Sequence, residues 1–133
     1  MKKLEHIGLA VKDLSVSNKL FNSLFKASPY KEEIVASEGV KTSFYKIGET
    51  KIELLQDIKE NGTIANFIKK RGEGLHHIAF EVENIQEEIS RLKKDGFALI
   101  NDVPKKGADN KLICFIHPKS TNGILVELCQ NIK

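Results

Sequence analysis

The stretch GLHHIAFEV, Gly74 to Val82, decides how the chain is read, because it sets two histidines side by side in an apolar run. Neighbouring side chains in a strand point to opposite faces, so the two imidazoles cannot share one task. An internal repeat separates them. HIAFEVENI, from His77, matches HIGLAVKDL, from His6: His77 with His6, Ile78 with Ile7, Val82 with Val11, Asn84 with Asp13, Ile85 with Leu14. Carried on at the same offset of 71, the match pairs Leu92 with Phe21 and Phe115 with Phe44. The halves also close alike, KIELLQ (51–56) against LVELCQ (125–130), where Glu53 meets Glu127 at an offset of 74. The three added residues fall in the turn HPKSTNG, where insertions cost little.

The chain thus holds two copies of one module, about 1–58 and 74–131, with a linker helix at about 63–73. Its 133 residues are enough for one domain in which the copies share a core. Each module opens with a strand, Leu4 to Val11 and Leu75 to Val82. A helix follows: Leu14, Asn18, Phe21 and Phe25 line one side in the first copy, with Leu20 and Leu24 beside them, and Ile85, Ile89 and Leu92 do so in the second. Asp13 and Asn84 stand where N-caps belong, and Lys94-Asp95-Gly96 reads as a helix end. Three strands complete each module: Tyr30 to Ala36, Lys41 to Ile47 and Thr50 to Leu55, then Ala98 to Asp102, Leu112 to His117 and Gly123 to Cys129. Gly48-Glu49 is a hairpin turn. The order is βαβββ, twice, an α+β fold.

Parity selects His77, the repeat partner of His6. His6, Gly8 and Ala10 share one strand face, as do His77, Ala79 and Glu81, while Ile7, Leu9 and Val11, and Ile78, Phe80 and Val82, take the opposite faces under the helices. Small residues beside each selected histidine leave room for a cavity. His76 aligns with Glu5 and reads as a structural histidine. Glu53 and Glu127 are single carboxylates inside apolar strands, and such groups are paired, hydrogen-bonded or metal-bound. Taken singly, each is an ordinary salt-bridge partner. Taken together, His6, Glu53, His77 and Glu127 occupy matching places in two copies, and a pseudo-twofold axis would gather them. Two imidazoles and two carboxylates suit one divalent ion, Ni, Co, Fe, Mn or Zn, with positions left open for water or substrate.

Composition narrows the field. The chain is 41% hydrophobic and 29% charged, an ordinary globular mix. A net charge of +3 suits an anionic small molecule, and with no Trp and two Tyr it argues against nucleic acid as a partner. No apolar run reaches the roughly 20 residues of a membrane span. Met1-Lys2-Lys3 is basic but no apolar segment follows, so no secretory signal is expected. Cys114 and Cys129 lie in apolar strands without a CxxC and read as reduced, buried thiols, which sets the expected location as cytoplasmic.

On HIGLAVKDL, KIELLQDI, RGEGLHHIAFEV and HPKSTNGILVELCQ, nearly the whole chain resembles the vicinal oxygen chelate superfamily, which includes glyoxalases, bleomycin resistance proteins and dioxygenases. The resemblance implies an open, cup-shaped mixed sheet around a metal, with helices outside. The family's metal ligands fall on His6, Glu53, His77 and Glu127, which agrees with repeat and parity. It implies a single domain, a thiol-conjugated substrate and a homodimer whose cups are each completed within one chain. Ni, Co or Zn is the metal expected. The main expectation is a glyoxalase I, which isomerises the methylglyoxal–glutathione hemithioacetal to S-lactoylglutathione, with Glu127 as base and Glu53 as its partner. That family's bacterial members carry a His, Glu, His, Glu set like this one. The alternatives are a methylmalonyl-CoA epimerase and a non-catalytic binder of small molecules. RGEGLHHIAFEV and HPKSTNGILVEL are similar to epimerase signatures, but some epimerases have Gln where Glu53 stands and a second acid where Thr42 stands. Thr42, Arg71 and Lys119 are the candidate substrate contacts. Arg71 belongs to the basic run with Lys69 and Lys70, and Lys105 with Lys106 forms another. Either run could meet glutathione carboxylates or coenzyme A phosphates, or be solvated surface; Lys119 could equally belong to a plain turn.

Overall fold

A computed structural model describes all of residues 1–133. The elements run β1 (Lys3–Ala10), α1 (Leu14–Phe25), β2 (Lys31–Val35), β3 (Val40–Ile47), β4 (Thr50–Asp57), α2 (Thr63–Arg71), β5 (Gly74–Glu81), α3 (Ile85–Lys94), β6 (Lys105–Lys106), β7 (Lys111–Ile116) and β8 (Val126–Asn131), with a 3-10 turn at Pro118–Ser120 before β8. This is the βαβββ order twice, with α2 between. The chain divides into two units, one of Ile7–His76 and one of Met1–His6 with His77–Lys133.

In the unit Ile7–His76 the strands lie in the order β2-β3-β4-β1. β3 pairs antiparallel with both β2 and β4, and Gly48, at φ 60°, makes the turn between β3 and β4. Helix α1 packs Leu14, Phe21 and Phe25 on Leu9, Val11, Tyr45, Ile52 and Leu54. Asn18 sits in that line because the Tyr45 hydroxyl donates to its side-chain oxygen at 3.2 Å. Leu20 and Leu24, read from the sequence as lying beside the apolar line, are exposed. Helix α2 is capped from outside itself: the Asp57 carboxylate accepts from the backbone N–H groups of Ile64 and Ala65. It lies so near Gly62 that a Cβ there would collide with its oxygens, so a side chain at that position would displace the cap.

In the other unit the order is β1-β5-β8-β7-β6, with β5 parallel to β8 and β7 antiparallel to it. Helix α3 packs Ile85, Ile89 and Leu92 on Ile78, Phe80 and Val82 of the β5 segment, Cys114 and Ile116 of β7, and Val126 and Leu128 of β8. This is the face that alternation assigns to the helix. Glu127 and Cys129 take the other face. Acidic Glu87 and Glu88 in its first turn and basic Arg91, Lys93 and Lys94 in its last complement the α3 dipole.

Both long helices start in the same way. Asp13 accepts from Val16 N–H and Asn84 from Glu87 N–H, each at 3.2 Å, as the N-cap reading predicts. A second side chain acts as well. Gln56 accepts from Leu14 N–H at 2.7 Å and Gln130 from Ile85 N–H at 2.8 Å, so each last strand holds its own helix by one of the orphan donors of the first turn. Replacing Asn84 or Gln130 by Ala is expected to cost about 1 kcal/mol each. Urea unfolding checks this: the midpoint should fall while the slope stays unchanged.

One expected strand is corrected. Ala98 to Asp102 forms no strand; Leu99 makes a lone bridge to Ile116, and the short strand is β6, at Lys105–Lys106. The segment still follows β7: Ile100 N–H donates to the Phe115 carbonyl and His117 N–H to the Ala98 carbonyl, each at 2.8 Å, but Phe115 N–H donates to the Asn101 amide oxygen at 3.0 Å. That bond replaces a ladder bond, and Pro104 then removes a donor just before β6. No helix is long and apolar enough to cross a membrane.

Candidate metal centre

Three of the singled-out residues converge in the unit Met1–His6 with His77–Lys133. Alternation on β5 puts His77 on the face away from α3, followed by Ala79, which pairs directly with Glu127 of the parallel strand β8. Ala79 is fully buried and small, so the imidazole two residues earlier reaches the Glu127 carboxylate. His77 Nε2 lies 3.4 Å from Glu127 Oε1 and His6 Nε2 lies 3.7 Å from Glu127 Oε2. The two Nε2 atoms are 3.1 Å apart, their rings edge to face at 88°. His6, His77 and Glu127 are each about 5% exposed. Phe115, the cross-strand partner of Glu127 on β7, stands edge-on to the His77 ring.

These spacings fit a bound cation. Donor atoms bonded at about 2.1 Å to one ion lie about 3.0 Å apart at right angles and about 3.4 Å apart at tetrahedral angles. Two imidazole nitrogens and a carboxylate oxygen suit a first-row divalent ion. Burial alone pushes the Glu127 carboxyl up, but the neighbouring His6 and His77 outweigh it and hold that group below the usual carboxylate range. Glu127 is therefore anionic at neutral pH, the form that a metal or a base requires. Glu5, His6 and Cys129 form a second, overlapping group of donor atoms. There, burial first, then Glu127 and Glu5, push the Cys129 thiol well up, and its Sγ donates to the Phe80 carbonyl at 3.5 Å. A neutral thiol is a poor ligand, so the His6, His77 and Glu127 group is the better candidate. Cys114 is likewise buried and free, its thiol pushed up by burial to about 11. The two cysteines thus match the buried, reduced thiols read from the sequence.

Glu53 and Thr42 lie in the unit Ile7–His76. Glu53 is 4% exposed and pairs with Phe44 across β3 and β4, as Glu127 pairs with Phe115 across β7 and β8. The repeat thus reproduces a Glu opposite a Phe. Thr42 is fully buried, its hydroxyl donating to the Glu33 carbonyl at 3.5 Å. Arg71 ends α2 in an exposed position, Lys119 is exposed on the 3-10 turn, and Lys105 and Lys106 are exposed on β6. None of these cations is buried within a polar cluster. His76 packs edge-on against Phe67 of α2, as a structural histidine does.

Sequence reasoning missed Glu5. It is 1% exposed, and its Oε1 lies 2.9 Å from His6 Nδ1. Alternation assigned it to the opposite face because that rule follows the Cβ atom. A glutamate has three more bonds with which to reach sideways. The available signal was a lone acid inside the apolar strand next to a selected histidine.

Residues 5–115 match the model of the Glyoxalase/Bleomycin resistance protein/Dioxygenase superfamily. The chain is 39% identical over 127 residues to the mitochondrial methylmalonyl-CoA epimerase of Dictyostelium discoideum, covering 95% of this chain and 76% of that protein. It is 38% identical over 130 residues to the ethylmalonyl-CoA/methylmalonyl-CoA epimerase of Cereibacter sphaeroides, covering 96% and 97%. A solved structure of a Streptomyces coelicolor methylmalonyl-CoA epimerase variant in complex with 2-nitronate-propionyl-CoA matches with a TM-score of 0.94 at 27% identity, covering 98% and 95%. These findings overturn the expectation of a glyoxalase I: the relatives and the solved structure just described are named epimerases, and none of them is named a glyoxalase I. The error has a physical origin. Both reactions move a proton next to an oxygen-bearing carbon beside a metal, so a His, Glu, His, Glu set cannot tell one thiol conjugate from another. The family is nonetheless shown by the match over most of the sequence, and this chain belongs to the Glyoxalase/Bleomycin resistance protein/Dioxygenase superfamily.

Proposed function

We propose that the chain is a metal-dependent methylmalonyl-CoA epimerase. The observation that carries the reading is the convergence of His6 Nε2, His77 Nε2 and the Glu127 carboxylate on one point, in a chain over a third identical to named epimerases. His6, His77 and Glu127 would hold the ion, here Ni, Co or Zn. Glu53 is proposed as the fourth ligand on its place in the repeat and its burial. When bound, the ion supplies Lewis-acid stabilisation of the negative charge that develops on the thioester oxygen.

The rest of the work falls to side chains. Epimerisation removes the proton from the carbon between the carboxylate and the thioester and returns one to the opposite face. Glu127, anionic and buried, is the proton carrier for one face. Glu53, its repeat partner, is proposed for the other. A threonine hydroxyl has no carboxylate to offer, so Thr42 is assigned to substrate contact. The exposed cations of Arg71 and Lys119 are assigned to coenzyme A phosphates, which their charge suits.

Protein stripped with chelator and reloaded separately with Ni, Co or Zn should exchange the α-proton of methylmalonyl-CoA in deuterated water, only when loaded. The hemithioacetal of methylglyoxal and glutathione, offered as a control, should stay unconverted. A metal-loaded protein with no exchange would refute the assignment.

A further inference from the structure

Glu5 is buried without help from the repeat. Its counterpart in the second module is His76, so the module's architecture does not call for an acid here. Its two oxygens have separate partners. Oε1 lies 2.9 Å from His6 Nδ1, and Oε2 faces the ammonium of Lys111 at 3.9 Å. Lys111, on β7, is itself only 7% exposed and donates to the Asn131 amide oxygen on β8. Asn131 in turn donates to Glu81 of β5 at 3.4 Å. The chain of contacts crosses the unit and ends on the one imidazole nitrogen of His6 that does not face His77 and Glu127.

With the Lys111 ammonium facing its other oxygen, the Glu5 carboxylate is placed to accept, which puts the hydrogen between Glu5 and His6 on Nδ1. An imidazole with its hydrogen on Nδ1 carries a lone pair on Nε2. That Nε2 is the atom 3.1 Å from His77 Nε2. The bond also fixes the ring flip, since turning the ring over would set a carbon against the carboxylate. We infer that Glu5 is a positioning residue: held by Lys111, it sets the tautomer and orientation of His6 so that Nε2 presents a lone pair to the ion. This rests on the metal reading above, with a carboxylate behind a histidine ligand raising its basicity and fixing its aim.

Two measurements on the full chain separate this inference from the metal reading. In 15N-labelled, metal-free protein, long-range nitrogen–proton correlations should show His6 protonated on Nδ1, and the Glu5→Gln variant should show a mixture, because a neutral amide accepts more weakly than a carboxylate. Competition with a chromophoric chelator should then show Zn2+ bound about 10- to 100-fold more weakly by Glu5→Gln. His6 protonated on Nε2 in the wild type would overturn the inference, even if the variant failed to fold. So would a folded variant with unchanged tautomer and Zn2+ affinity, which would leave Glu5 a structural partner of Lys111. If the wild type has the Nδ1 tautomer and loses it in the variant, while Zn2+ binds neither protein, the positioning stands and the metal reading fails.

Discussion

Replacing Glu127 by Gln is expected to cut α-proton exchange on methylmalonyl-CoA by about 10²–10⁴-fold at saturating metal. The substitution keeps an oxygen on a planar group of similar shape and the pairing of β8 with β5 and β7, and it removes the one property a proton carrier needs. Glu127 is suited to that property because His6 and His77 hold it anionic although it is buried. The amide can still reach a cation, so saturating metal separates lost chemistry from lost binding. Exchange within tenfold of the wild type would exclude Glu127 as the base. The proposal would then have to move the proton transfer to another acid, with Glu53 the first to test. Thermal stability of the metal-free variant should fall at neutral pH, because a carboxylate that His6 and His77 hold below its usual range contributes stability that a neutral amide does not supply.

The second large effect is on stability. Leu128 is fully buried in β8 among Val82, Ile85, Ile89, Leu92, Cys114 and Ile116. Leu128→Ala is expected to cost about 2–5 kcal/mol, the transfer term of the lost side chain plus the cavity it leaves. For a chain of this length that corresponds to a melting temperature about 10 °C lower or more. Calorimetry on the metal-free protein measures it directly. A loss below about 1 kcal/mol would mean that the α3 side of β8 is not packed as described. The position is chosen because its neighbours in β8, Glu127 and Cys129, point to the other face: one residue separates a packing role from a chemical one.

That alternation explains why so much was legible in sequence. A period of two in HIAFEV and a period near 3.6 in the stretch after Ile85 told sheet from helix, and the repeat doubled each reading. It also placed the helix caps, since Asp13 and Asn84 are polar residues directly before apolar periodic ones. It brought His6, His77 and Glu127 into one short list, and the structure sets their donor atoms within 4.8 Å of one another. What it did not show follows from what patterns omit. Alternation describes where a side chain starts and not how far it reaches, so Glu5 escaped. Propensity does not see a side-chain amide standing in for a ladder bond, so the interruption at Asn101 that leaves Ala98 to Asp102 with a lone bridge to β7 escaped. The identity of the substrate escaped for another reason. Metal ligands encode a kind of proton chemistry, whereas the groups proposed to meet the thiol carrier, Arg71 and Lys119, are residue types of any solvated face.

Gln56 and Gln130 bear on how such a strand finds its place during folding. Each stands three residues after Glu53 or Glu127, an odd spacing, so amide and carboxylate emerge on opposite faces. If the last strand slid by one residue against its neighbours, the amide would leave the helix terminus and the carboxylate would turn into the apolar layer beneath that helix. Both changes are unfavourable, and they occur together. The misaligned pairing is therefore penalised twice, once by an abandoned helix donor and once by a stranded charge. A mutation that softened one penalty would still leave the other. In this way the amide guards the alignment that aims the carboxylate, and it does so in each copy of the module independently.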